Sequence, residues 1–238
     1  APEGSYATDP TDPYARIVEL KQMIRTLHEN GLRVVMDAVY NHVYDREQSS
    51  LEKLVPGYYF RYDAYGQPAN GTGVGNDIAS ERRMARRWIV DSVIFWAKEY
   101  GINGFRFDLM GVHDIETMKV VRDALDAIDP SILVYGEGWD LPTPLAPEQK
   151  ATMTNAWKLP RIAYFNDRFR DTIKGSTFHL PSRGFALGDA SGREQAKTVI
   201  AGSLRALGGL FCHPLQSLNY VECHDNHTFW DKMEVANG

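Results

Sequence analysis

The sequence predicts an α/β protein built on a parallel sheet or barrel. Three observations predict it: helix and strand patterns alternate along the chain, the first strand pattern is a continuous apolar run, and four strand patterns end in an acidic residue.

The helix–strand beat starts with Asp12 as N-cap and Pro13 as first helical residue. Ile17, Leu20, Ile24 and Leu27 mark one face, and Gly31 ends the helix. LRVVMDAVYN follows as a strand covered on both faces. From Tyr44 to about Ser80 the chain is irregular and rich in Gly, Tyr and Asp, a long insertion of the kind that carries function. A second helix runs from about Glu81 to Tyr100, with Met84, Trp88, Ile89, Val93 and Trp96 on its apolar side, before the strand NGFRFDLM. The third unit pairs a helix near Ile115 to Ile128, stopped by Asp129-Pro130, with the strand ILVYGEG. Beyond Pro142 the pattern predicts a strand at RIAYF, helices near Asp167 to Lys174 and Glu194 to Leu207, and a last strand, SLNYVECHDN.

Composition narrows the function classes. The chain of 238 residues is 43% hydrophobic and 24% charged, the make-up of a soluble globular protein. Its net charge of −5 comes from 26 basic and 31 acidic side chains spread along the chain, so no basic stripe points to nucleic acid or membrane. An uncharged or small substrate fits better. No apolar run approaches the roughly 18 residues of a membrane span, and the N-terminus lacks the basic start and apolar middle of a signal peptide. Cytoplasmic and secreted locations both stay open. Cys212 and Cys223 are too few for a disulfide framework and lack metal-knuckle spacing, which predicts reduced, buried thiols.

In an α/β barrel the active site forms at the carboxyl ends of the strands. The four strand-end acids are Asp37 in MDAVYNH, Asp108 in GFRFDLM, Glu137 in YGEGWD and Asp225 in ECHDNHT. Strand alternation puts Arg106 and Asp108 on one face and Phe105 and Phe107 on the other. A buried Arg beside Asp108 favours an ionised, oriented carboxylate that can act as a nucleophile. Asp108 and Glu137 are 29 positions apart, about one β/α unit, so their strands should be neighbours spaced roughly 4.8 Å apart. That suits retaining glycoside hydrolysis, in which two carboxyl groups about 5–5.5 Å apart act as nucleophile and as acid/base. Glu137, among Val134, Tyr135 and Trp139, is expected to favour its protonated form through desolvation and a nearby anion. Its flanking glycines, Gly136 and Gly138, are expected to leave room for a sugar.

The blocks DAVYNH, GFRFDLMG, YGEGWD and YVECHDNHT resemble, in order, the four sequence regions of the α-amylase superfamily, on the third, fourth, fifth and seventh strands of its catalytic barrel. GFRFDLMG, GEGWDLPTP, GNDIASERRMARRWIVDS and FNDRFRD resemble its type I pullulanase branch, and the resemblance covers essentially the whole chain. It implies a partial (β/α)8 barrel, residues 1–238 being its central part. The first two strands would precede Ala1 and the eighth would follow Gly238. Such an open barrel exposes unpaired strand edges, so the segment alone is expected to be poorly stable, associating or inactive.

The resemblance also implies an activity and roles. The activity is hydrolysis, with retention, of α-1,6 branch linkages in pullulan or branched dextrins of starch or glycogen, the partner being an α-glucan. Asp108 would be the nucleophile, Glu137 the general acid/base and Asp225 the carboxylate that grips sugar hydroxyls and stabilises the transition state. His42, Arg106, Trp139 and His224 would serve substrate binding: Arg106 by orienting Asp108, the histidines by contacting the sugar, Trp139 by offering an aromatic face. Asp37 and Asn41 would play supporting roles, Asp37 holding loops or His42 in place. Ala38 and Cys223 depart from the pattern, where relatives more often carry a bulkier apolar residue and Ser. An α-1,4-acting amylase or transglycosylase and a non-catalytic glucan-binding relative remain as rivals; the retained acids speak against the second.

Other features have plainer readings. GTGVGN, Gly71 to Asn76, does not link a strand directly to a helix as a phosphate loop would, and reads as a loop beside the cleft. Asp114, after His113, is placed to cap a helix rather than to hold a metal. His179 and His213 lack ligand-like partners, which predicts surface or core roles. No metal ligand set is assigned: some amylase relatives bind calcium, so calcium stays open for a longer protein, but no acidic calcium loop occurs in this sequence.

Overall fold

The computed structural model describes residues 7–237; the first six residues of the turn-rich opening segment lie outside that range. Helix α1 (Pro13–Glu29) starts where Asp12 accepts a hydrogen bond from the Tyr14 N–H and stops before Gly31, whose φ of 75° suits a residue without Cβ. Strand β1 (Val35–Ala38) leads into the insertion, which holds a short helix α2 (Ser50–Leu54) capped by Ser49. The long helix α3 (Arg83–Tyr100) ends at left-handed Gly101 and feeds β2 (Gly104–Phe107). Helix α4 (Ile115–Asp126), capped by Asp114, precedes β3 (Leu133–Gly136). Then come β4 (Ala163–Phe165), α5 (Asp167–Lys174), α6 (Arg193–Ile200), β5 (Ser217–Leu218) and α7 (Phe229–Asn237).

The five strands form one parallel sheet in chain order. Its core lies between strands and helices: Phe105 and Phe107 of β2 are fully buried with Ile89 and Val93 of α3 and Met118, Val121 and Leu125 of α4. Burying each such side chain is worth about 1.5–3 kcal/mol. Among the described residues, no helix is long and apolar enough to cross a membrane.

The structure corrects several expectations. The first strand is not covered on both faces: Ala38 is buried and Val35 and Met36 are half-buried, but Asp37 is exposed, and β1 is also an edge of the described sheet, paired only with β2. Met84 is 43% exposed, and Ala85, Ile89, Val90 and Val93 turn inward instead. The helix expected to reach Leu207 ends at Ile200, where Gly202 and Ser203 take positive φ. The last strand stops at Leu218 because Ser217 and Asn219 accept hydrogen bonds from the Asn166 side chain and the chain leaves the sheet. Cys223 therefore sits in a loop, and both cysteines are exposed and free rather than buried.

The insertion packs Phe60 and Ile78 against Ala85 of α3 in a small separate core and braces the end of β1. Asn76 and Val43 exchange hydrogen bonds of 2.9 and 2.7 Å, and the Ile78 N–H donates to Asn41 O at 2.8 Å. GTGVGN cannot cradle phosphate, since the Gly71 and Thr72 N–H groups both donate to Asp77 at 2.9 Å.

Candidate active site

The parallel register decides where the acids meet. Phe107 pairs with Gly136, and the ladder continues one rung further: Asp108 N–H donates to Ala38 O, and Glu137 N–H to Phe107 O. Asp108 and Glu137 therefore emerge side by side at the carboxyl ends of β2 and β3. Asp37 lies opposite Arg106 on the other side.

Arg106 is the hub. Its buried guanidinium donates through Nη1 to Asp37 Oδ1 and Asp108 Oδ1, both at 2.8 Å, and through Nη2 to Glu137 Oε1 at 2.6 Å. Burial opposes its charge, yet Asp37, Glu137 and Asp108 together hold it above the usual arginine value. The planar fork of arginine allows this three-way arrangement.

Each carboxylate has a second anchor or none. The Asn41 Nδ2 donates to Asp108 Oδ2 at 2.9 Å and to Asp108 O at 2.6 Å, while its Oδ1 meets His42 Nδ1. Glu137 Oε2 accepts from the Leu109 N–H at 2.9 Å, and Glu137 O from the Gly111 N–H at 2.8 Å. Leu109 takes a left-handed φ of 42° in the turn that aims its N–H at Glu137, a conformation costing about 1–2 kcal/mol. Burial raises the Glu137 pKa; the Leu109 N–H and Arg106 oppose this, and the charges of Asp108 and Asp225 reinforce it.

Glu137, Trp139 and Asp225 line a cleft of about 460 Å³ with Phe165, Asp167 and Arg170. Asp225 is exposed on the loop after β5 rather than on a strand, and His224 Nε2 lies 3.6 Å from its Oδ1. Trp139 is half-buried, resting on the core while lining the cleft. The structure thus joins Asp37, Asn41, Arg106, Asp108 and Glu137 in one bonded cluster, with His42 attached through Asn41. Asp37 pairs with Arg106, not His42.

The glycines beside Glu137 serve packing, not room for a sugar. A Cβ at Gly136 would sit 2.5 Å from Phe107 O, and one at Gly138 would sit 2.5 Å from Tyr164 Cδ1. Asp167, absent from the residues that the sequence points to, also lines the cleft, from the first turn of α5 and with Asn166 between it and the end of β4. Burial raises its pKa, opposed by Arg170.

Asp114 caps α4, accepting from the Thr117 N–H at 2.9 Å, as the sequence predicts. His213 caps a short turn by accepting from the Leu215 N–H, and His179 is exposed. His113 is fully buried, edge-on to Phe107, and neither ring nitrogen finds a hydrogen-bond partner among the described residues. Burial, helped by the Arg61 charge, pushes its pKa down to about 4. Above pH 6.5 the ring is neutral folded or unfolded, so its titration changes nothing; below 6.5 the unfolded chain takes the proton first, and stability falls until about pH 4. The expected loss is about 3 kcal/mol. Urea unfolding at pH 7 and pH 4.5 should show this loss shrinking in His113→Leu; an equal loss in both proteins would refute it.

No family model matches the chain. It is 58% identical, over 99% of its length, to the pullulanase of Bacillus subtilis strain 168, covering 33% of that protein. The chain is homologous to pullulanases. Solved pullulanases agree with that match. The Anoxybacillus enzyme complexed with maltotetraose is 64% identical, with a TM-score of 0.95 over 98% of this chain and 34% of that one. The type I pullulanase of Bacillus subtilis complexed with maltose is 57% identical with a TM-score of 0.96, over 98% and 33%. The chain spans about a third of the length of these pullulanases, and its five-stranded parallel sheet matches a fragment of their structures.

Proposed function

We propose that this chain forms about the third to seventh β/α units of an α-amylase-type (β/α)8 barrel and carries the catalytic groups of a retaining debranching hydrolase. Its substrates would be α-1,6 branch linkages in pullulan and in starch or glycogen dextrins. The observation that carries the reading is the single guanidinium of Arg106 holding Asp108 and Glu137 at adjacent strand ends. Homology to pullulanases, two of them solved with maltotetraose and maltose, supplies the substrate class.

In the first step an Asp108 carboxylate oxygen attacks the anomeric carbon as the glycosidic C–O bond breaks, and the Glu137 proton passes to the departing 6-oxygen. In the second, Glu137, now ionised, takes a proton from water, whose oxygen attacks the same carbon and frees Asp108. Two inversions give retention. The raised pKa of Glu137 suits the acid role. Asp225 holds sugar hydroxyls, with His42 and His224 beside the cleaved glucose and Trp139 under the next one. Arg106 positions Asp108 and Glu137, Asn41 holds Asp108 and His42, and Asp37 completes the ring of charge around Arg106.

Incubating the full-length protein that contains this chain with pullulan and with amylose separates this reading from its rivals. Maltotriose released from pullulan with amylose left intact is the expected result; attack on amylose without maltotriose release would overturn it.

A further inference from the structure

We propose that Cys223, His224 and Asp225 form a site for a thiophilic divalent cation, represented by Zn²⁺, at the mouth of the cleft. The three consecutive residues lie on the exposed loop after β5 and bring a sulfur, an imidazole nitrogen and a carboxylate oxygen within 4.8 Å of one another. An extended strand would turn the middle residue away from its neighbours. Here the chain bends instead: Cys223 Sγ lies 3.7 Å from Asp225 O, and His224 Nε2 lies 3.6 Å from Asp225 Oδ1. Tetrahedral zinc with Zn–N and Zn–O bonds of about 2.0–2.1 Å needs a nitrogen–oxygen edge of about 3.3 Å. A few tenths of an ångström of side-chain movement closes that edge, and the sulfur, within 4.8 Å of both atoms, completes the site by approaching each to about 3.6 Å.

The donor chemistry selects the ion. One thiolate, one imidazole and one carboxylate suit Zn²⁺ or Co²⁺, whereas Ca²⁺ and Mg²⁺ want six or more oxygens, and this loop offers one carboxylate. Three protein ligands leave a fourth position for water. Binding displaces the thiol proton, so affinity rises with pH.

Cys223 and Asp225 line the same cleft as Glu137. An ion on Asp225 occupies the carboxylate assigned to the sugar, so zinc and glucan exclude each other. This consequence rests on the proposed glucan hydrolysis; the metal site does not.

Co²⁺ titrated into the purified protein should give a saturable near-ultraviolet thiolate-to-cobalt band at one ion per chain, erased by Zn²⁺ and untouched by Ca²⁺. Cys223→Ser should abolish the band and weaken Zn²⁺ at least about tenfold, and His224→Ala should weaken it similarly. Cys212→Ser should keep the band. No saturable band in the unaltered protein, or loss of the band with Cys212 instead of Cys223, would overturn the site. In the full-length protein, Zn²⁺ should also inhibit pullulan hydrolysis competitively and reversibly by chelator. Cobalt binding with undiminished hydrolysis would overturn the coupling to the cleft, while absence of hydrolysis without metal would count against the proposed function and leave the spectroscopic result standing.

Discussion

Glu137→Gln is expected to lower turnover on pullulan by about 10²–10⁴-fold while leaving glucan binding nearly unchanged. The substitution keeps shape and removes the proton that the leaving oxygen needs. A carboxylate accepts from both Arg106 Nη2 and the Leu109 N–H. An amide has one oxygen, so one of these donors loses its acceptor, at about 1–3 kcal/mol of stability. The pH profile gives a separate signature. The first step needs protonated Glu137, so activity falls as pH rises through its pKa, which burial sets above the ordinary glutamate value. In the Gln variant that alkaline limb should vanish from the residual rate. Turnover equal to the unaltered protein, measured beside glucan affinity by calorimetry, would remove Glu137 from the acid role.

Much of this site is legible in the sequence, because strand alternation and chain spacing are local rules. The face shared by Arg106 and Asp108, the buried pair Phe105 and Phe107, and the adjacency of Asp108 to Glu137 all follow from period and unit length. What alternation cannot give is reach across strands. The sequence pairs Arg106 with Asp108 alone, and only the register shows that one fork also takes Asp37 and Glu137. The turn at Leu109 is likewise invisible, since a leucine at positive φ carries no sequence signal. Local rules fail outright where side chains compete with the ladder. SLNYVECHDN reads as a strand by its apolar positions, yet hydrogen bonds from Asn166 to Ser217 and Asn219 draw the chain off after two residues. That departure exposes Cys223 and places Asp225 on a loop over the cleft. The glycines of YGEGWD mislead for a related reason: their closest neighbours, Phe107 and Tyr164, come from other strands.

Replacing Arg106 should do comparable damage by a different route. In Arg106→Met the side chain keeps its length and loses its charge, leaving Asp37, Asp108 and Glu137 facing one another without a cation. Removing one partner of a buried ion pair costs about 3–5 kcal/mol. The contact with Asp37 adds little, because that side chain is 56% exposed and solvent screens it; most of the cost falls on Glu137 and Asp108. Stability alone would not separate a positioning residue from an ordinary structural one, but the pH profile does. Arg106 opposes the rise in the Glu137 pKa, so its removal should raise that pKa further and move the alkaline limb of the residual activity to higher pH. Turnover should fall at least about 10²-fold, more than KM changes, because a displaced nucleophile harms the transition state rather than binding. Arg106→Lys restores the charge as a single point without the planar fork, so it should recover much of the stability and little of the turnover. Full turnover in the Lys variant, or an alkaline limb that stays in place in the Met variant, would show that the fork does not set the acid and the nucleophile in register.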